Sequence, residues 1–437
     1  MSATTDRRAR RAGRMDETLL REITAANRTG TAGWRAEFLA RAGASAGTTT
    51  AKVASFVVTV VAALLLSLPL ISLSGADGEL ALEALVRGSW GSPTAIAETF
   101  VQAVPLLITG LAVAIAFHAG LFNIGVEGQL VIGALAAGIL GATLPLPGPL
   151  LLVVSLLGGA AAGALWALIP ALLKAYRGVH EVVTTIMMNY IAFNVSTYLV
   201  SPSGPFVSET QPSATEKIDA AARLPILVPG TRLHAGLLIA IALVIIMAWL
   251  LFRTPFGFGL RLTGANRLAA EGAGVRVGAT VIRAMLISGG IAGLAGAVQV
   301  FGLFGRYYDA FSPGYGFDAI AVALLGALSP IGIAAAALFF GTLDSSAVYL
   351  QAQAGMSREM VSVISGLVVA FVAAQPAVLR LLRSWRARRA LRRDKGEAVA
   401  DRPSGEITHA IDTVLPPPLA DANDEMSRSL AENEAPR

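Results

Sequence analysis

Repeated apolar runs, most of them about 20 residues long, constrain this chain more than any other feature. Ten runs occur, near residues 53–73, 98–118, 128–146, 149–172, 183–200, 233–252, 279–302, 316–328, 331–350 and 359–378. About 20 apolar residues are what an α-helix needs to cross the hydrocarbon core of a bilayer. Hydrophobic residues make up 54% of the chain and charged residues 14%, against about 25% charged in ordinary soluble domains. The sequence therefore predicts an all-α polytopic membrane protein with about ten transmembrane segments.

The run 316–328 does not fit a regular span. It holds about 13 residues, and at about 1.5 Å per residue such a helix is shorter than the hydrocarbon core. A half-helix or a re-entrant segment fits this length, provided that it is buried in protein or lines a cavity. The alternative count is eight crossings plus re-entrant helices.

Basic residues predict the orientation of the chain. They are concentrated near both ends and in the loops 174–181 and 253–276, and a further cluster lies at 380–395. Cytoplasmic loops carry such an excess of lysine and arginine, so both termini are expected to be cytoplasmic. The same grouping explains the formal charge of +5 without a nucleic-acid partner, and the bilayer is the surface that the chain is expected to contact.

Composition also limits the chemistry and divides the chain into three parts. There is no cysteine, and the four histidines are scattered without metal-ligand spacing, so no disulfide, thiolate, metal site or cofactor is predicted. Residues 1–50 form a polar cytoplasmic segment, residues 51–378 the transmembrane domain, and residues 379–437 a basic and then disordered cytoplasmic tail.

Two motifs place polar residues inside the apolar region. The first, FHAGLFNIGVEGQL (Phe117–Leu130), contains Asn123, Glu127 and Gln129. A carboxylate within a spanning segment costs about 2.5–3.5 kcal/mol on insertion scales, so Glu127 marks a candidate functional site. The glycines of this motif are typical of a helix that breaks or approaches another backbone closely.

The second motif, IMMNYIAFN, contributes Asn189, Tyr190 and Asn194. Asn189 and Asn194 are five residues apart, which is about 140° around a helix.

The segment FGFGLRLTGANRLAAEGAGVRV (256–277) is predicted to be cytoplasmic. Its residues are compatible with a short helix around 267–271, closed by Gly272 and Gly274. Either a docking helix for a soluble partner or an ordinary charged loop between spans fits this pattern.

Four segments together resemble a known family. FHAGLFNIGVEGQL, GALWALIPALLKAYRGVHEVVTTIMMNYIAFN, RLTGANRLAAEGAGV and GYGFDAIAVALLGALSPIG follow the order found in permease subunits of ATP-binding cassette (ABC) importers. They are most similar to the nucleoside and simple-sugar type, which is related to ribose and branched-chain amino acid permeases. The resemblance covers roughly residues 53–378. Arg267 departs from it, because proline is common at that position.

The resemblance implies a membrane permease of a bacterial plasma membrane that moves a nucleoside or simple sugar by alternating access. It also implies three protein partners: a separate ABC ATPase, a distinct second permease and an extracellular substrate-binding lipoprotein. The chain has no G-x-x-x-x-G-K-[ST] loop, so ATP is expected to bind to the ATPase subunit. The coupling segment would include Arg261, Gly264, Asn266, Ala269, Ala270, Glu271 and Gly274.

A neutral nucleoside or sugar needs amide-type donors and acceptors together with an aromatic face. The candidate substrate-binding residues are Asn123, Glu127, Gln129, Asn189, Tyr190 and Asn194. The alternative for each is a hydrogen bond between helices, and Glu127 could instead brace a helix break. Structural roles are favoured for Asp318 and Asp344.

Two other classes of function remain to be compared. An ATP-independent secondary transporter would need ion-coupling carboxylates in several spans, and Glu127 alone is convincing. A membrane enzyme would need clustered acidic or histidine residues with catalytic spacing, which the sequence lacks. The predicted protein is thus a transporter and not an enzyme.

Overall fold

The computed structural model describes residues 78–354, together with residues 363 and 366. The predicted segments 1–50, 53–73 and 379–437, and nearly all of 359–378, lie outside these described residues. In chain order the α-helices are α1 (Gly78–Trp90), α2 (Pro93–His118), α3 (Val126–Thr143), α4 (Gly148–Arg177), α5 (Glu181–Val200), α6 (Gly236–Arg253), α7 (Pro255–Ala265), α8 (Arg267–Gly272), α9 (Val277–Gln299), α10 (Tyr315–Leu325) and α11 (Pro330–Ala354). Within this part of the chain, strand-like pairing is limited to two isolated β-bridges.

Six helices are long and apolar enough to cross a membrane. They are α2, α3, α4, α6, α9 with its continuation to Phe304, and α11. The prediction of a helical, multi-span protein is therefore confirmed, and every predicted run on the described residues occurs as a helix. The count of ten spans and the cytoplasmic placement of both termini stay predictions.

The short run is a helix of 11 residues, α10. At about 1.5 Å per residue it extends roughly 16 Å, about half of the hydrocarbon thickness. It begins after Gly314, whose φ of 111° is a conformation that glycine adopts without steric cost. The run is therefore too short for a regular span, as its sequence predicts.

Residues 74–100 carry four acidic residues and one arginine, a pattern that predicts only an outer loop, yet helix α1 lies within this segment. Glu83 and Arg87 form an ion pair of 2.7 Å one turn apart, and such pairs support a helix. The buried Ala81 and Ala84 lie in a helix that packs on α2 and α11. Charge alone indicates a side of the membrane and gives no information about this packing.

Helix α9 lies at the centre of the bundle, packed against α2, α3 and α4. Glycines make the close approach possible: a Cβ on Gly133 of α3 would overlap the Cα of Gly293, and one on Gly163 of α4 would overlap the carbonyl of Gly289. The small residues of these helices thus serve tight helix packing.

The segment 201–235 between α5 and α6 is folded onto the chain that follows α9. The amide of Thr215 donates to the Tyr307 carbonyl (2.8 Å), and the amide of Ile218 donates to the Gly305 carbonyl (2.9 Å). Thr215 and Ile218 are buried. These bonds hold residues 305–309 against the bundle, just before the chain turns into α10.

Candidate functional site

The break between α2 and α3 is the centre of the candidate site. Helix α2 ends at His118, and Gly120 has a φ of 73°, which reverses the chain within a few residues. A Cβ on Gly264 of α7 would overlap the His118 carbonyl, and one on Gly120 would lie 3.1 Å from the Gly264 Cα. The break is therefore in direct backbone contact with α7.

Asn123 connects this break to α9 and to the first turn of α3. Its Nδ2 donates to the Ser288 hydroxyl (2.9 Å) and to Oε1 of Gln129 (3.1 Å). Its Oδ1 accepts from the Gly125 amide at 3.0 Å. Ser288 in turn donates to the Ala112 carbonyl of α2 (2.6 Å). Both amides are buried, so the bonds fasten the break to the neighbouring helices.

Asn189 fastens the break from the opposite side, through α5. Its Oδ1 accepts from the Gly128 amide at 2.9 Å, and its Nδ2 donates to the Ile124 carbonyl at 3.0 Å. One amide side chain thus pairs with a donor and an acceptor that the helix interruption would otherwise leave unpaired. A Cβ on Gly128 would lie 2.7 Å from the Asn189 Oδ1, so this approach requires glycine.

Glu127 joins the break to α10. Its Oε2 accepts from the amide of Gly316, in the first turn of α10, at 2.5 Å. The residue is 2% exposed. Glu127 also lies in the first turn of its own helix, α3. Two helix N-termini therefore converge on one buried carboxylate, and both helix dipoles stabilise it.

The six predicted substrate-binding residues thus divide into two sets. Asn123, Glu127, Gln129 and Asn189 are buried together and bond to protein groups. Tyr190 and Asn194 lie on the outer face of α5, where both are exposed. Asn189 and Asn194 thus lie on different faces of α5. A substrate-binding role for each of the six stays a prediction.

The outer face of α5 contains a shallow groove of about 410 Å³, lined by Met187, Tyr190, Asn194 and Tyr198 among others. Tyr190 and Tyr198 are 60% and 64% exposed. Asn194 donates to the Tyr190 carbonyl in its own helix at 2.7 Å. The surface of this groove is nearly all apolar, with the Tyr190 and Tyr198 rings and the Asn194 amide among its aliphatic side chains.

The predicted coupling segment consists of α7 and α8. Asn266 begins α8, since its Oδ1 accepts from the Ala269 amide at 3.1 Å. Gly264, Asn266, Ala269, Glu271 and Gly274 are exposed. The other two predicted residues face the protein instead: Ala270 is fully buried, and the Arg261 guanidinium lies 5.1 Å from the Phe252 ring centre.

Three residues at these sites were not identified from sequence. Ser288 is a hydroxyl in the middle of an apolar run, a signal that could have been used. Gly316 acts through its backbone amide, and no side-chain pattern could reveal that. Leu268 of α8 is 79% exposed, and an apolar residue in the middle of a charged segment is a usable sign of docking. No group of metal-ligating side chains occurs among the described residues.

Comparisons with known proteins agree with this architecture. The family described as "Branched-chain amino acid transport system / permease component" matches residues 95–373. The guanosine ABC transporter permease protein NupP of Bacillus subtilis is 41% identical over 302 residues, which are 68% of this chain and 85% of the relative.

Two further relatives are similar over most of their length. The glucose ABC transporter permease protein TsgB13 of Haloferax volcanii is 38% identical over 63% of this chain and 75% of the relative. The nucleoside ABC transporter permease protein NupB of Lactococcus lactis is 35% identical over 67% and 82%, respectively. No solved structure matches the chain.

Proposed function

Because the chain belongs to the family of branched-chain amino acid transport permease components, and is thus a multi-pass plasma-membrane permease subunit of an ABC transporter, we propose that its substrate is a nucleoside. The observation that carries this choice is the 41% identity to a guanosine permease across 85% of that relative. A simple sugar is the second candidate, because a glucose permease is 38% identical. Membership of an ABC family sets aside the ATP-independent secondary transporter.

An ABC permease works with an ATPase and a substrate-binding protein. For the ATPase we propose α7 and α8 as the docking segment. The exposure of Leu268 (79%) supports this placement, since an exposed apolar side chain amid polar neighbours is typical of a contact residue. The basic loop 253–276 supports a cytoplasmic position for the same segment, on the side where the ATPase is expected.

The backbone contact between Gly264 and Gly120 supports a route for coupling. A movement of α7 would displace the break directly, because the two backbones are in contact and no free space lies between them. The break is bonded through Glu127 to α10 and through Asn189 to α5. In this proposal ATP-driven displacement of α7 and α8 shifts α3, α5 and α10 together.

We assign the outer face of α5 to the contact with a second, distinct permease, with the substrate pathway between the two subunits. Support comes from the groove of exposed apolar and aromatic side chains on this face, in which Tyr190 and Asn194 are exposed. The buried residues Asn123, Glu127, Gln129 and Asn189 then hold the broken helix in place, and Tyr190 and Asn194 contact substrate.

The test is uptake of tritiated guanosine and glucose by proteoliposomes that contain this permease, its ATPase, the second permease and the binding protein. Guanosine uptake should require ATP and stop with a hydrolysis-deficient ATPase. Leu268→Asp should lower uptake at least tenfold, because a charge is added at an apolar docking contact. The matched control, Leu227→Asp, changes an exposed leucine of the segment 201–235 and should transport normally.

The contrary outcomes are distinct. Uptake of glucose but not guanosine would replace the nucleoside by a sugar. Uptake by this chain alone, driven by an ion gradient, would remove the ABC mechanism. Normal transport by Leu268→Asp would remove the docking assignment and the coupling route that depends on it. The proposals on the substrate and on the α5 face would remain.

A further inference from the structure

A polar cavity, which we call the outer cavity, lies away from the break. It has a volume of about 690 Å³ and lies between α1, α2, α11 and residues 303–315. Glu98, Gln102, Tyr308, Tyr315 and Asp344 are among the residues that line it. This volume falls within the range of about 300–1,000 Å³ that is typical of sites for small molecules.

The wall formed by α2 carries a paired carboxylate. Glu98 accepts from Gln102 Nε2 at 2.8 Å and from Arg232 NH2 at 2.6 Å, and a second bond from Arg232 Nε measures 3.1 Å. The Glu98 side chain is nevertheless 23% exposed toward the cavity. Lipid tails offer no hydrogen-bonding partner to such groups, so the cavity is better suited to a polar solute than to lipid.

The opposite wall is aromatic. The rings of Phe304 and Tyr308 are 4.9 Å apart, and those of Tyr308 and Phe311 are 6.3 Å apart, both edge to face. This cluster provides a rigid surface against which a planar ring can pack. Burial raises the pKa of the Tyr308 hydroxyl, so it remains protonated and able to donate a hydrogen bond.

The cavity extends from the start of α2 to the start of α10. Ser92, the N-cap of α2, and Tyr315, the first residue of α10, both line it. Gly316, the next residue, is held by Glu127. The deep end of the outer cavity therefore borders the group that fastens α10 to the break, and a solute bound there would lie against the half-helix.

We propose that the outer cavity is a holding site for an uncharged nucleoside. The base packs on the aromatic wall, and the ribose hydroxyls donate to the carboxylates of Glu98 and Asp344, with Gln102 completing the set. Asp344, for which the sequence favours a structural role, is thus assigned to substrate recognition. This inference rests on the proposed function, and it names a site distinct from the α5 face.

The charges of the cavity add a selectivity. Among the described residues that line the cavity, Glu98 and Asp344 carry carboxylates, and the one arginine, Arg232, is paired with Glu98. A phosphate group that entered the cavity would meet the like charge of these carboxylates. The site therefore accepts nucleosides and excludes nucleotides.

The test uses the complete transporter in nanodiscs and proteoliposomes. Binding of tritiated guanosine without ATP and the KM of uptake are measured for three variants: Ala347→Trp, which fills the cavity from α11, Asp344→Asn, which keeps shape but removes the charge, and Tyr308→Leu. The matched controls, Ala352→Trp and Tyr176→Leu, change exposed residues away from the lining. Guanosine monophosphate serves as the charged probe.

Ala347→Trp should raise the KM for guanosine at least tenfold while basal ATP hydrolysis is unchanged. Asp344→Asn and Tyr308→Leu should each raise it about five- to tenfold, since one good hydrogen bond or ring contact corresponds to about that factor. The controls should match the unmodified transporter, and guanosine monophosphate should not compete. If Ala347→Trp fails to assemble, the other two variants decide.

Wild-type KM values in Asp344→Asn and Tyr308→Leu would overturn the outer cavity and leave nucleoside import intact. Competition by guanosine monophosphate at the same concentration as guanosine would overturn the selectivity. Absence of guanosine uptake by the unmodified transporter would instead refute the proposed function. The two failures are therefore distinguishable in one experiment.

Discussion

Removal of the Glu127 carboxylate should show whether this residue fastens helices or binds substrate. In Glu127→Ala the Gly316 amide, now paired at 2.5 Å, would be buried with no acceptor. Such an orphaned group costs about 1–3 kcal/mol, and the space left by the lost side-chain atoms adds about 1 kcal/mol more. Loss of the charge at two helix N-termini contributes a further ~0.5–1 kcal/mol. The expected destabilisation is about 2.5–5 kcal/mol.

Glu127→Gln should cost much less, about 1 kcal/mol, because the side-chain oxygen still accepts the Gly316 bond and only the charge is lost. The matched control is Glu83→Ala: Glu83 is paired with Arg87 on the surface of α1, and such an exposed pair contributes about 0.3–0.5 kcal/mol. Thermal unfolding of the purified complex should rank the variants Glu83→Ala, Glu127→Gln and Glu127→Ala in increasing order of loss.

Transport by the same variants separates the two roles. If Glu127 fastens α10, Glu127→Gln retains the guanosine KM, and any lost uptake follows the lost stability. The reasoning would be refuted if Glu127→Ala unfolds at the temperature of Glu83→Ala while the guanosine KM rises tenfold or more. Glu127 would then be a substrate contact, as the intramembrane carboxylate alone suggests.

Two further predictions concern helix packing. Asn189→Ala should destabilise the complex by about 2 kcal/mol, because two buried hydrogen bonds from this side chain to backbone groups are lost. Asn194→Ala, which loses one bond to its own helix, should cost under about 0.5 kcal/mol. Equal losses in thermal unfolding would contradict this contrast. Gly293→Ala should cost about 1–3 kcal/mol of stability, because its Cβ would overlap the Gly159 carbonyl of α4. Gly290→Ala should be nearly neutral, because the nearest atom to its added Cβ is 3.6 Å away. A neutral Gly293→Ala would show that α4 and α9 can separate without cost.

The helices themselves follow from local sequence. Apolar runs identify α2 to α6, α9 and α11, since length and hydropathy are properties of each segment alone. The length of one run also identifies α10 as too short to be a regular span. The charges of residues 74–100 predict an outer loop and do not reveal helix α1. Glu79 near its start and Arg87 near its end are nevertheless typical helix-terminus residues.

The partners of the polar residues do not follow from local sequence. Glu127 bonds to an amide 189 positions away, and Asn123 bonds to a hydroxyl 165 positions away. The residue types predict that each needs a partner, because unpaired polar groups are costly in a bilayer. Which helix supplies it depends on packing, and here on glycine contacts such as Gly133 with Gly293.

The geometry around Glu127 also explains how an acidic residue is tolerated inside the helix bundle. Each helix N-terminus carries the equivalent of about +0.5 charge, and the carboxylate lies at the N-termini of both α3 and α10. The two dipoles offset part of the cost of burying the carboxylate, although Asp318, also in the first turn of α10, shares the dipole of that helix. Separation of α3 from α10 would remove part of this offset, which favours movement of the two helices as one body during transport.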